Sequence, residues 1–131
     1  MMKSRDTLIR LKRFKVGEKR RRVAQIELMI AEFDRMSADL DREIAAEEQK
    51  AGNSDPAHFA YPTYAKAARQ RRDNLRRSAD DLKAQLEEAK AELGEALEEL
   101  KKAESLEDRE RSAERLPDSA REAAIATRSS V

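Results

Sequence analysis

The sequence predicts an all-α protein, a long antiparallel two-helix coiled-coil hairpin with a short connector that contains proline and aromatic residues. Three observations predict it: a heptad ladder, the composition and the distribution of charge. The ladder alternates spacings of four and three residues, and each position is Leu or Ala. Such a repeat holds one narrow apolar stripe of a helix against a partner helix. Its positions are Leu75, Ala79, Leu82, Leu86, Ala89, Leu93, Ala96, Leu100 and Ala103.

The composition favours long helices over a globular core. Charged residues make up 42% of the 131 residues and hydrophobic residues 39%, a balance that suits helices with one thin buried stripe. The chain is rich in the good helix formers Ala, Leu, Glu, Lys and Arg, and has only three glycines and three prolines. It has no cysteine, which excludes a disulfide framework, a thiolate zinc site and a cysteine nucleophile.

The first helix is predicted over residues 8–51. Gly52 and Asn53 end it, because both tolerate the left-handed conformation that follows many helices. Its expected seam has the same alternating spacing, and seven of its ten positions are apolar. The seam residues are Val16, Lys19, Val23, Ile26, Ile30, Phe33, Ser37, Leu40, Ile44 and Glu47.

A connector over residues 52–62 and a second helix over residues 63–115 complete the expected hairpin domain, residues 1–116. Pro56 after Asp55 suits a short helical turn, and Pro62 interrupts the chain again before the second helix. Pro117 cannot continue a helical hydrogen-bond ladder, so the second helix ends before it. Residues 117–131 have little apolar periodicity and are predicted to be a disordered tail.

The charge distribution predicts the antiparallel orientation. Residues 3–22 carry ten bases and two acids, whereas residues 80–114 carry thirteen acids and six bases. A hairpin lays these oppositely charged segments side by side, and a parallel self-dimer would pair like with like. Each exposed pair contributes only a few tenths of a kcal/mol, yet about twenty charges together can select an orientation. We therefore expect a monomer when the protein is isolated.

Catalytic chemistry finds no support in the sequence. His58 is the only histidine, so neither a two-histidine metal site nor a histidine relay can form within the chain. The three glycines are isolated, which excludes a glycine-rich phosphate loop. We expect a non-enzymatic protein without cofactor or metal. The sequence has no apolar run that would span a membrane and no signal-like start, so a cytoplasmic location is expected.

The start of the first helix is one candidate binding surface. Apolar Leu8, Leu11 and Phe14 alternate with basic residues over more of the helix circumference than one partner helix would cover. Two interpretations are open: an extra-wide packing stripe, or a surface that docks onto another protein or an anion. The candidate contacts are Leu8, Leu11, Lys12, Arg13, Phe14 and Lys15.

The connector is the other candidate, since it holds Phe59 and Tyr61, with Tyr64 just beyond. These rings either staple the turn or anchor a partner, because aromatic residues are enriched at interfaces. Six bases follow, and pairing with acids of the first helix would account for much of their charge. The bases are Lys66, Arg69, Arg71, Arg72, Arg76 and Arg77, and the acids are Asp39, Asp41, Glu43, Glu47 and Glu48.

Two other function classes compete with these readings. A nucleic-acid-binding helical protein is suggested by the basic starts of both helices, but the net charge of only +1 argues against it, and no nucleic-acid partner is expected. A generic coiled-coil scaffold or adaptor, or a domain-swapped dimer, is the other alternative.

Two segments resemble a known family. The run from Met2 to Phe14 followed by residues 18–22 resembles the start of FliJ, the flagellar export protein family, in its alphaproteobacterial form. The connector over residues 55–66, with Arg71-Arg72 and residues 74–77 after it, resembles the same family. The resemblance covers roughly residues 2–110, and the connector is its most distinctive part.

The resemblance implies a function as well as a fold. FliJ proteins are antiparallel two-helix coiled coils, similar to the central stalk of rotary ATPases, that serve type III export. Their partners are the flagellar export ATPase, the export gate protein and export chaperones, at the cytoplasmic face of the basal body, with membrane association through partners only. By this resemblance the end with both termini enters the ATPase ring through Leu8, Leu11, Lys12, Arg13, Phe14 and Lys15. The connector residues Phe59, Tyr61 and Tyr64 would then point toward the gate.

Overall fold

The computed structural model describes residues 4–115, which form two helices, α1 (Ser4–Ala51) and α2 (Thr63–Arg115). The helices pack against each other as an all-α hairpin, and the described residues contain no strand. The fold class predicted from the sequence is confirmed. The predicted tail, residues 117–131, lies outside the described residues.

The first helix begins at Ser4, four residues before the expected Leu8. The expectation was wrong because it followed apolar periodicity, whereas these first residues are held by charge. Asp6 lies in the first turn, where a carboxylate interacts favourably with the positive end of the helix dipole. Arg5 forms ion pairs with Glu110 and with Glu114, the latter at 2.9 Å.

The end of α1 is closed by Gly52. Its φ of +66° lies in the left-handed region, and its backbone N–H donates to the carbonyl oxygen of Gln49 at 3.2 Å. The backbone N–H of Asn53 donates to the carbonyl oxygen of Glu48, also at 3.2 Å. These bonds satisfy carbonyl groups that a helix end leaves open, and glycine adopts the required backbone conformation without strain.

The helices form two compact units. Unit 2 comprises Lys19–Glu92. Its core is built on Ile26, which is only 1% exposed and lies with buried Leu82 and Ala89. The partly buried side chains packed against this cluster are Val23, Ile30, Phe33 and Leu86. The antiparallel pairing in this unit is visible in the Lys19–Glu92 ion pair at 2.9 Å.

Unit 1 comprises Met1–Glu18 with Leu93–Val131, of which residues 4–18 and 93–115 are described. Ile9 and Val16 of α1 and Ala96 of α2 are buried in it. The Lys12–Glu99 ion pair at 2.9 Å crosses between the helices and again shows antiparallel pairing.

The predicted seam is the buried stripe of both helices. Every seam position named above for the first and second helix is buried or half-buried. This includes the polar Ser37, which is buried, and Lys19 and Glu47, which are half-buried. The seam prediction is therefore confirmed, including its polar positions.

Candidate interaction surfaces

The apolar start of α1 divides into a buried and an exposed set. Ile9 and Val16 face α2 and are buried, whereas Leu11 is 61% exposed and Phe14 is 63% exposed. Leu8 is exposed as well. Since side chains three or four positions apart share a helix face, Ile9 and Val16, seven apart, lie on the seam, and Leu11 and Phe14 point away from it. The exposed residues are therefore not an extra-wide packing stripe.

The basic candidate residues beside them also fall into two groups. Lys12 is half-buried and donates to Glu99 at 2.9 Å, and Arg13 donates to Glu104 at 3.4 Å. The hydrogen bond from Lys12 and its positive charge lower the pKa of the Glu99 carboxyl group below its ordinary value. Lys12 and Arg13 thus join the two helices. Lys15 is exposed and forms no ion pair within residues 4–115, but its charge also lowers the pKa of Glu99.

The second helix adds exposed leucines that the sequence analysis did not single out. Leu97 and Leu106 are both exposed in unit 1. A shallow groove on α2 is lined by Glu98, Lys101, Lys102, Ser105, Leu106 and Arg109. The signal that could have found Leu106 is its heptad position: it is a large apolar residue that falls outside the a/d ladder and so has no place in the seam.

The connector is held by side chains that accept backbone hydrogen bonds. Asn53 Oδ1 accepts the N–H of Asp55, and Asp55 Oδ1 accepts the N–H of Ala57, both at 3.0 Å. His58 Nδ1 accepts the N–H of Ala60 at 3.0 Å. Asn, Asp and His therefore replace regular secondary structure in satisfying the backbone. The turn presents its side chains from a defined backbone.

Phe59 is the most exposed large apolar residue of the connector, at 95%. Its ring stacks on that of His58, with centroids 4.6 Å apart and planes inclined by 26°. The stack restrains the phenyl ring while leaving its other face open. A restrained, exposed aromatic ring loses little conformational entropy when a partner covers it.

The two tyrosines differ from Phe59. Tyr61 is only 8% exposed and donates its hydroxyl hydrogen to Glu48 at 3.0 Å. Burial, with the Glu48 carboxylate adding to it, raises the pKa of the Tyr61 hydroxyl group. Tyr64 donates to Glu43 at 3.0 Å, and this hydrogen bond raises the pKa of Tyr64. Tyr61 staples the turn and is not accessible to a partner, whereas the ring of Tyr64 is exposed.

The basic residues after the connector pair with fewer acids than expected. Asp41 binds Arg72 at 3.0 Å and Arg76 at 2.8 Å. Glu43 and Glu48 instead accept the tyrosine hydroxyl groups. The other two expected acids pair within α1, Asp39 with Arg42 and Glu47 with Lys50. Within the described residues, Asp41 is the one of these five acids that forms ion pairs with the arginines, so the expected pairing is present only in part.

Residues 4–115 contain neither a candidate metal site nor a candidate membrane span. They contain no group of three or more His, Cys, Asp or Glu residues that could hold a metal ion. Neither described helix has a segment apolar enough to cross a membrane.

Comparison with known proteins adds no relative. No family model, curated protein or solved structure matches the chain. The resemblance to the FliJ family rests on the residues quoted for it, and the structure contributes the fold and the exposed surfaces.

Proposed function

We propose that the chain is a non-enzymatic flagellar type III export factor, a stalk-like coiled coil that binds the export ATPase ring. It links that ring to the export gate and to export chaperones. The observation that supports this most is the exposed set Leu8, Leu11 and Phe14 at the start of α1. The two-helix fold is the one that the resemblance to FliJ implies.

The seam residues cannot bind a partner, so binding must use the exposed surface. Its leucines and alanines are covered by the other helix of the same chain, so they are not available to a partner. Large apolar side chains that remain exposed at helical spacing are typical of a helix face that docks in a groove. Leu11 and Phe14 therefore supply the ATPase contact, with Lys15 as the accessible cation. Lys12 and Arg13 support it indirectly by holding α1 against α2.

The proposed mechanism depends on placing one asymmetric coiled coil inside a symmetric ring. A single coiled coil inside a ring of identical subunits contacts them unequally, so its binding energy favours the assembled ring and differs between catalytic states. Such differential binding changes assembly and ATP turnover without any catalytic group on the coiled coil. At the connector, Phe59 and Tyr64 are the contacts toward the gate.

The ATPase assay tests the proposal directly. At micromolar concentration, the full chain is expected to raise both hexamer formation and ATP hydrolysis of the cognate flagellar export ATPase. The double variant Leu11→Ala/Phe14→Ala is expected to lose most of this effect. No change in either quantity with the unmodified protein would refute the stalk function.

A matched control locates the contact. Leu28 lies on the same helix, is 71% exposed and belongs to unit 2. Leu28→Ala removes at least as much exposed leucine surface as Leu11→Ala and is expected to leave ATPase stimulation unchanged. Equal losses from both variants would place the contact elsewhere.

The gate contact has its own test. Phe59→Ala is expected to weaken binding to the purified cytoplasmic part of the export gate without changing ATPase stimulation. Tyr61→Phe keeps a ring in the buried position and is the control for the turn itself. A gate affinity that is unchanged in Phe59→Ala would contradict this assignment.

A further inference from the structure

The seam of unit 1 changes in chemistry toward the chain termini. Continued back from Val16 with the same alternating spacing, the α1 seam reaches Lys12, Ile9 and Arg5. Ile9 is 4% exposed, and among the described residues it is the apolar seam residue nearest the start of α1. Beyond Ile9, the seam position of α1 is therefore occupied by an arginine.

The α2 seam changes in the same way. Continued from Ala103, its spacing reaches Glu107, Glu110 and Glu114, three carboxylates at positions that hold Leu or Ala earlier in the helix. Apolar side chains at these positions are what normally joins two helices in a coiled coil. This end of unit 1 therefore lacks apolar packing of the kind that covers Ile26 in unit 2.

Arg5 joins the two helices by charge instead. Its guanidinium group pairs with Glu110 and with Glu114, the latter at 2.9 Å. We call these three residues the ionic clasp. The side chain of Arg5 is 24% exposed, whereas both glutamate side chains are more than half exposed. Because the carboxylates lie largely in solvent, dissolved ions can screen their attraction to Arg5.

The side of the helix pair next to Ile9 is open. A cleft lined by residues of both helices, including Ile9 and Glu107, lies there. Arg13 crosses the cleft to Glu104 at 3.4 Å, a second exposed ion pair. Glu107 binds Arg111 of its own helix, so that pair does not join α1 to α2. The cross-helix contacts that accompany Ile9 here are thus contacts that salt weakens.

We propose that the ionic clasp is a salt-sensitive switch, which opens the terminal end of unit 1 and uncovers Ile9. At low ionic strength Arg5 holds the first turn of α1 on α2. As the ionic strength rises, the Debye length falls from about 30 Å at 0.01 M to about 8 Å at 0.15 M, and the attraction is screened. The two helix ends then separate, since the seam has no apolar residue beyond Ile9 to keep them together, while Val16 and Ala96 stay covered.

Opening changes the surface that α1 offers to a partner. In the closed form Leu8 and Leu11 are exposed and Ile9 is covered. In the open form Ile9 joins them, so the apolar face at the start of α1 becomes wider. A protein that contacts Ile9 binds only the open form and shifts the population toward it. The switch belongs to the chain itself and does not depend on which partner the chain binds.

Two spin labels measure the opening. The chain has no cysteine, so Ser4→Cys/Ser112→Cys supplies two unique label sites at exposed positions, one on each helix. In double electron–electron resonance, the ratio of open to closed molecules is expected to rise about tenfold between about 0.02 and 0.5 M NaCl. The control pair Gln25→Cys/Gln85→Cys, exposed in unit 2, is expected to keep its distance distribution. No change in the first pair, or equal changes in both pairs, overturns the proposal.

A thiol at the position of Ile9 reports whether that position is uncovered. Reaction of Ile9→Cys with a disulfide reagent, relative to free cysteine, is expected to accelerate about tenfold over the same salt range. Ile26→Cys replaces a residue that is 1% exposed in unit 2 and is expected to stay protected. A reaction rate at position 9 that does not respond to salt would contradict the uncovering of Ile9.

Charge variants of the spin-labelled chain assign the opening to the clasp. Arg5→Gln breaks both pairs and is expected to be open at low salt as well as high salt. Arg10→Gln removes the same charge outside the clasp and is expected to behave like the unmodified protein. The exchange Arg5→Glu/Glu110→Arg/Glu114→Arg reverses both pairs and is expected to restore closure at low salt, with charges that also suit the two helix ends.

The variants refute the clasp if Arg5→Gln and Arg10→Gln behave alike, or if the exchanged chain stays open at low salt. The salt response of the label pair at positions 4 and 112 in the otherwise unmodified chain decides the proposal if a charge variant loses its helical circular dichroism.

Discussion

Truncation of Ile26 to alanine is the sharpest test of the coiled-coil core. Ile26 is 1% exposed and lies with Leu82 and Ala89 at the centre of the unit 2 cluster. Because the seam is the only buried stripe between the two helices within residues 4–115, few other contacts can compensate for its loss. The change removes three carbon atoms from a position that is almost fully shielded from solvent.

The expected loss follows from that burial. Three methylene equivalents at about 0.8 kcal/mol each give about 2.4 kcal/mol of lost transfer free energy. The cavity left behind adds about 1 kcal/mol, since a helix pair closes it only in part. Alanine has the higher helix propensity and returns a few tenths of a kcal/mol. We therefore expect Ile26→Ala to lower the free energy of unfolding by about 3 kcal/mol.

Urea unfolding followed by circular dichroism measures this quantity for the variant and for a control. Leu28→Ala, two residues away and 71% exposed, is expected to change the unfolding free energy by less than about 0.5 kcal/mol. A loss below about 1 kcal/mol for Ile26→Ala, or equal losses for the two variants, would refute the seam as the source of stability.

Three further changes test the polar contacts. Ser37→Ala is expected to raise the unfolding free energy by about 0.5–1 kcal/mol in urea, because it removes a buried hydroxyl group from the seam and improves helix propensity. Tyr61→Phe is expected to lower it by about 1–2 kcal/mol near neutral pH, because the hydrogen bond to Glu48 is lost. Folding raises the pKa of Tyr61, so the stabilisation by its hydroxyl group is complete below about pH 10 and is lost as the pH rises through the folded-state pKa. The unfolding free energies of Tyr61→Phe and of the unmodified protein should therefore converge in strong alkali. A constant difference would contradict this assignment. For Lys12→Gln the pH dependence has the opposite sign. The Lys12–Glu99 contact lowers the pKa of Glu99 and therefore stabilises the fold above the ordinary glutamate pKa. The difference in Tm between this variant and the unmodified protein should shrink as the pH falls to about 3. A gap that widens toward acid would refute the Lys12–Glu99 contact.

Exposure at the two ends was harder to predict than the seam. Leu8 and Ile9 are adjacent and chemically alike, yet Ile9 is buried and Leu8 is exposed. Only the rotation of α1 about its axis, fixed by the whole seam, decides which one faces α2. The alternative of an extra-wide stripe could therefore be rejected only with the structure.

The connector shows the same limit more clearly. Phe59 and Tyr61 are aromatic and two residues apart, and the sequence favoured neither as the anchor. The turn directs Tyr61 toward Glu48 of α1 and leaves Phe59 in the open. That choice depends on hydrogen bonds of Asp55 and His58 to the local backbone, which residue types alone do not specify.

The sequence by itself determined the helices, the seam and the antiparallel pairing. These properties repeat along the chain, so many weak preferences of the same sign add up and small errors cancel. The tertiary structure alone decided which charges pair across the helices, which aromatic residue is covered, and which leucines at the start of α1 remain exposed. Each of these depends on the rotation and register of one helix against the other, since a turn of one residue moves a side chain from the core to solvent.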